Sequence, residues 1–322
     1  MNARLLQSAA TAVLLSCVFV LSGRAATFYV ATNGAHQAPF SSWSTAATNI
    51  QAALDLTADA DTVMVTNGVY GTGSRITTFV TQTRVVITNA VRLLSVNGPE
   101  HTIIQGAKDS PVRCAFLEPG AEIIGFTLSG GSGSNAVPGG NELPRHGGGA
   151  MLNRGGLLSN CIVRDCFSHG DGGGVAMRGG GEIRDSLVIS NYAISEGGGI
   201  HIETNGLVER CTISFNSVNV DGGGVHMNRS AVVRNSQIYS NWTQFADGGG
   251  IAMESGSIAG CNIYGNSANA FGHGGGIWWP GGHNASIRNC TIYGNSAALE
   301  GGGVWFRKLF NYSPAHHKIP FC

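Results

Sequence analysis

Charge is scarce in this sequence. Lys, Arg, Asp and Glu together make up 12% of 322 residues, and 19 basic side chains balance 19 acidic ones. An average soluble domain carries roughly 25% charged residues. With a net charge of zero there is no electrostatic footprint for a nucleic acid partner. Long apolar runs are also missing beyond Leu21, so no membrane span of the usual ~18 residues is expected in the mature chain. No Cys-x-x-Cys pair is present, which removes the simplest zinc-binding arrangement. The Gly-Gly-x-Gly-x-Asp nonapeptide of calcium-binding solenoids is absent too.

Glycine, in contrast, is abundant at 49 residues, and it is periodic. One series of Gly-Gly-Gly tripeptides begins at residues 147, 172, 197, 222, 248, 274 and 301, with successive spacings of 25, 25, 25, 26, 26 and 27. A fixed period in this range is the mark of a solenoid, in which each repeat buries its apolar face by stacking on its neighbours. After each glycine triplet apolar and variable residues alternate, as in Val175-Ala176-Met177-Arg178 and Ile200-His201-Ile202-Glu203. A second alternating motif runs from Ile183 to Asn191 and recurs as 208–216, 233–241, 258–266 and 287–295. Alternation predicts strands. Two or three short strands in about 25 residues leave no room for a helix per repeat, so the expected fold is an all-β, right-handed parallel β-helix.

The columns support that expectation. Cys161, Ser186, Cys211, Ser236, Cys261 and Cys290 align as small core fillers, and Asn191, Asn216, Asn241, Asn266 and Asn295 align as corner residues. Stacked Asn amides can hydrogen-bond along the axis and suit a left-handed corner. The glycines are expected at a corner that needs positive φ and has no room for a Cβ. Cys261 and Cys290 fall on adjacent coils and are candidates for pairing; the remaining aligned cysteines are too far apart for a bridge.

Five segments are expected. Residues 1–25 read as a secretory signal, with Arg4, an apolar run from Leu5 to Leu21, and Gly23 and Ala25 before the cut. Residues 26–130 form an N-terminal cap and irregular first coils, including one short amphipathic helix near Thr48 to Leu56, capped by Thr48 or Asn49, that closes the end of the solenoid. A Gly/Ser/Pro-rich loop fills 131–146, regular repeats fill 147–306, and 307–322 is a non-repeat tail, either a short cap or the point where a longer solenoid is cut.

Phe28-Tyr29-Val30 with Asn33-Gly34, Asp61-Thr62-Val63 with Asn67-Gly68-Val69-Tyr70, and Gly125-Phe126-Thr127-Leu128 resemble secreted bacterial pectin-lyase-like right-handed β-helix proteins. The Gly-Gly-Gly-[Val/Ile] array with Ile-Tyr-Gly-Asn-Ser-Ala at 263–268 and 292–297 is similar to the repeats of polymorphic outer-membrane proteins. The resemblance covers nearly all of the mature chain. It implies the fold and a secreted or cell-surface location, and it is weak for activity, because lyases, hydrolases, esterases and adhesive passengers share the architecture.

Three columns could carry chemistry. The first outward column of the glycine-led strands runs Met151, Ala176, His201, His226, Ala252, Trp278 and Trp305; the second runs Asn153, Arg178, Glu203, Asn228, Glu254, Pro280 and Arg307. Both are expected to be exposed. His201, His226, Trp278, Trp305 and Arg178 are then candidate substrate-binding residues, with rings stacking on sugar faces and charges holding hydroxyls or uronate carboxylates. A third column precedes the glycines: His146, Asp171, Glu196, Asp221, Asp247, His273 and Glu300. Its acids Asp171, Glu196, Asp221 and Asp247 are candidate calcium ligands, since stacked carboxylates repel one another unless a cation or a proton intervenes. As a catalytic set, Asp221 with Asp247 fits the short carboxylate spacing of a glycosidase, and Glu203 with Glu254 the long one. Two functions follow. One is an exported solenoid presenting a flat repetitive face to a polysaccharide or a cell-surface ligand, adhesin-like or structural. The other is a lyase or glycosidase acting on an acidic polysaccharide.

Overall fold

The computed structural model of the chain describes residues 25–77, 81–109, 111–135, 145–281 and 284–307. Residues 1–24 of the expected signal, most of the Gly/Ser/Pro-rich loop and the tail beyond Arg307 lie outside the described residues.

Each regular coil is a closed circuit of four short strands. In one coil these are Val175–Arg178, Gly181–Arg184, Leu187–Ile189 and Tyr192–Ala193. Every strand pairs in parallel with its equivalent one period later, for example Val175↔Ile200, Ile183↔Val208 and Val188↔Ile213. Strands of successive coils thus build four sheets of ten, nine, ten and six strands, in the right-handed parallel β-helix that the glycine period predicts. Among the named strands the one antiparallel pair is Arg75–Ile76 with Gln82–Ile87, at an edge of the glycine-led sheet.

Four strands, not two or three, form a coil because the Ile183–Asn191 motif turns twice. Asp185 and Ser190 both take left-handed backbone, with φ of 50° and 56°, and the same two positions recur as Arg210 and Phe215, then Asn235 and Ser240. The corner Asn residues themselves do not take this conformation. The residue before each Asn does, and the Asn side chain is thereby turned inward. There Asn216 is fully buried. Its Nδ2 donates to Val188 O at 2.9 Å and Asn241 Oδ1 at 3.0 Å, while its Oδ1 accepts from the N–H and Nδ2 of Asn191. The ladder continues through Asn241 and Asn266 to Asn295.

The glycine triplets divide their labour. The first of each has φ near +65°, as at Gly172 and Gly197. At the second, a Cβ would overlap the next coil: at Gly223 it would run into the carbonyl of Gly249. Inside, one continuous apolar column includes Val188, Ile213, Ile238 and Ile263. Cys161, Cys211 and Cys261 are buried in it as free thiols. Burial raises the Cys161 thiol to about 11 and the Cys211 thiol to about 12. Cys261 and Cys290 hydrogen-bond to each other but are not bridged.

The N-terminal end is closed by a helix over Ile50–Leu54, capped by Asn49, whose Oδ1 accepts from Ala52 N–H. It buries Ile50, Ala53 and Leu54 and leaves Leu56 exposed. Gln51 satisfies a sheet-edge backbone: its Oε1 accepts from Val86 N–H at 2.7 Å and its Nε2 donates to Val86 O at 3.3 Å.

Replacing Asn216 by Ala removes two donated and two accepted hydrogen bonds from a dry site. Denaturant unfolding should show a loss of about 2–4 kcal/mol. A loss below about 0.5 kcal/mol would mean that the ladder is incidental to stability.

Candidate functional site

The left-handed first glycine of each triplet reverses the chain so sharply that the residue before it folds back over the strand that follows. The carboxylate column therefore lies against the first outward column of the glycine-led sheet. The three aspartates also hydrogen-bond along the axis. Asp171 Oδ1 accepts from Glu196 N–H at 3.2 Å, Asp221 Oδ1 from Asp247 N–H at 2.8 Å, and Asp247 Oδ1 from His273 N–H at 2.6 Å. His146 begins the series, with Nδ1 2.8 Å from Asp171 N–H. These contacts offset part of the repulsion between stacked carboxylates.

Because of this cover, the expectation of an exposed first column fails. Met151, Ala176 and Ala252 are buried, and so are His201 and His226, at 9% and 2% exposure. Neighbours on the same column press from above and below: the two imidazoles stack at 5.2 Å and 12°. Carboxylates flank them, with Glu196 Oε2 3.6 Å from His201 Nδ1 and 3.3 Å from His226 Nδ1. Trp278 and Trp305 remain half-buried. Their rings are parallel within 7° and stack on each other at 6.4 Å, so the faces between them are turned inward and are closed to a sugar. Trp305 Nε1 donates to Glu300 Oε2 at 3.1 Å.

In the second column Asn153 is buried, while Glu203, Glu254 and Arg307 are exposed as expected. Arg178 and Glu203 form an exposed ion pair at 3.5 Å, and Glu254 is exposed. These residues wall two recesses that share Glu203. One, of about 340 Å³, is lined by His146, Asp171, Arg178, His201 and Glu203, together with Met151, Ala176 and Met177. The other, of about 370 Å³, is lined by Glu196, Glu203, His226, Asn228, Arg229, Glu254 and Ser255. The structure thus gathers Glu196, Glu203 and Glu254 around one recess, whereas Asp221 and Asp247 meet through a backbone bond in the column.

The acids differ sharply in electrostatics. Burial raises the Asp171 carboxyl, but His146, with Nδ1 3.1 Å from Oδ2, and the nearby His201 outweigh it and hold Asp171 well below the usual carboxylate range. Burial pushes Glu196 up to about 7, helped by the charges of Asp171, Asp221 and Glu254. Burial likewise raises Asp221 to about 6, against the lowering effect of the Asp247 amide. His226 is lowered by burial and by His201 to about 3, which keeps its imidazole neutral.

Two features escape the sequence reading. One is the meeting of Glu196 with His201 and His226, which takes residues from two columns on opposite sides of a glycine corner. The spacing Glu-Gly-Gly-Gly-Ile-His carries that signal once the corner is known to be a reversal. The other is Arg113, a fully buried cation whose Nε donates to Gly147 O at 2.8 Å and whose Nη2 donates to His146 O at 2.6 Å. It anchors the start of the first glycine triplet, and burial lowers it to about 10.

Asp221 offers a clean pH test, since Asn at this position keeps an oxygen for the Asp247 amide. A folded-state value raised from the usual 3.8 to about 6 means that its contribution to stability is complete below pH 3.8 and is lost as pH rises through 6. Asp221→Asn should therefore gain on the unmodified chain between pH 4 and 7, by on the order of 1 kcal/mol after allowance for partial exposure. Parallel stability curves for the two chains would contradict the assignment.

No protein-family model and no curated protein sequence matches the chain. Among solved structures it is similar to the pectate lyase Pel9A, with a TM-score of 0.53 at 13% identity over 85% of this chain and 78% of that one. A pectin methylesterase from carrot aligns over 88% of each chain at 10% identity, with a TM-score of 0.34. The first of these supports the pectin-lyase-like β-helix fold; the second overlay is too loose to add to it.

Proposed function

We propose that the protein is an exported β-helix that binds a polysaccharide along the groove of its glycine-led sheet. The observation that carries this reading is the pair of recesses that share Glu203 on successive coils and are walled by Arg178, Glu203, Arg229 and Glu254. An extended chain of sugars repeats along its length, as the coils do, and charged walls supply hydrogen bonds to successive hydroxyls. The similarity to a protein named as a pectate lyase is in keeping with a polysaccharide ligand. Export rests on the apolar N-terminal segment that ends near Ala25.

Cleavage is the second reading, and one observation favours it. Asp171 and Glu196 face the groove from adjacent coils with carboxyl pKa values driven in opposite directions, one held ionised and the other near 7. Such divergence is what an acid and a base acting together require.

Uronate-rich and neutral polysaccharides presented to the purified chain should separate the two. Arg178→Ala and Glu203→Ala should each weaken polysaccharide binding by about tenfold, roughly 1.4 kcal/mol. Tyr264→Ala, on another sheet in the stack of half-buried Tyr239 and Tyr264 with exposed Tyr293, should leave binding unchanged. Binding that is lost in the Tyr264 variant and kept in the other two would move the ligand to that face. New reducing ends or unsaturated products, abolished by Glu196→Gln, would establish the cleavage reading.

A further inference from the structure

We propose that Glu196, His201 and His226 bind a divalent transition-metal ion of the zinc class on the floor of the groove. Their three donor atoms lie within 4.8 Å of one another. The Glu196 Oε2 distances to the two Nδ1 atoms, 3.3 and 3.6 Å, match the ~3.3 Å edge of a tetrahedron built from ~2.0–2.1 Å metal–ligand bonds. The second, independent observation is that both Nδ1 atoms are buried and make no hydrogen bond, although Glu196 is close. The contact to His226 has the distance of a hydrogen bond but misses its geometry. His226 is 2% exposed, so this nitrogen is shut off from solvent and has no hydrogen bond, a costly arrangement unless something else uses its lone pair.

The donor set selects the ion. Two imidazole nitrogens and one carboxylate suit zinc, copper, nickel or iron, whereas calcium takes six to eight oxygens. An all-oxygen site in the acid column would draw on Asp171 and Asp221, each of which already has an oxygen bonded to the next coil's amide. A further carboxylate oxygen, Asp171 Oδ2, is 4.0 Å from His201 Nδ1. Remaining coordination positions face the recesses and are left to water or to a bound ligand. This site stands whether or not the groove holds a polysaccharide.

The test uses the full mature chain without a histidine tag, stripped with a chelator and dialysed against zinc, with bound metal counted by elemental analysis. One zinc per chain is expected, with visible d–d absorption when cobalt(II) replaces it. His226→Gln and His201→Gln should weaken uptake by at least about tenfold and abolish the cobalt spectrum, while His273→Gln should change neither. Should a histidine variant fail to fold by circular dichroism, the Glu196→Gln variant decides, since its side chain is half-exposed. No stoichiometric uptake, uptake unchanged by these substitutions, or displacement of zinc by equimolar calcium would each overturn the proposal.

Discussion

Everything in this molecule depends on how closely one coil can sit on the next. Parallel strands stack at ~4.8 Å, and corners must hold that spacing as well as strands do. At the second glycine of each triplet no side chain fits: a Cβ on Gly173 would overlap the carbonyl of Gly198, and one on Gly198 that of Gly223. Against the third glycine of each triplet the Asn ladder supplies the complementary element, an axial chain of amide hydrogen bonds in a dry core. One corner is kept empty and the other is filled. Together they fix register, because a residue repeated every 25 positions must then meet its own copy.

The groove is a by-product of the same corner. Reversal at the first glycine carries the preceding acid over the strand, so a row of turn residues becomes a row of carboxylates lying on imidazoles. Stacking sets their burial and their separation, and these two together set their charge states. Asp171, beside His146 and His201, stays ionised, while Glu196, between Asp171 and Asp221, is driven upward. Neither value belongs to a residue type. Each belongs to a place in the column, which is why a repetitive scaffold can offer chemically distinct positions from nearly identical sequence units.

Much of the architecture is legible in the sequence because periodicity survives folding unchanged. The glycine period, the cysteine column and the Asn column each report position along one axis, and a single axis is all that stacking requires. Asn49 as the helix cap and Leu54 as a buried residue follow from local pattern. What is not legible is the path around each coil. Asp185 and Ser190 give no compositional warning that they turn left-handed, so the Ile183–Asn191 stretch reads as one strand where the chain makes two corners. For the same reason His201 and His226 read as exposed by alternation. Alternation tells which side of its own strand a residue occupies, and it is silent about a neighbouring turn folding over that side. Arg113 is hidden differently: its partners are carbonyls of residues 146 and 147, which leave no trace in side-chain pattern.

At the centre stands a glycine corner that lays Glu196 over a stacked, buried imidazole pair. Side-chain NMR titration of the metal-free protein, labelled in histidine and glutamate, measures this most directly. His226 should remain neutral down to about pH 3 and Glu196 should titrate near 7. If His226 titrates near the ordinary 6.5 and Glu196 near 4.5, both are in water and the column is only a row of solvated turn residues.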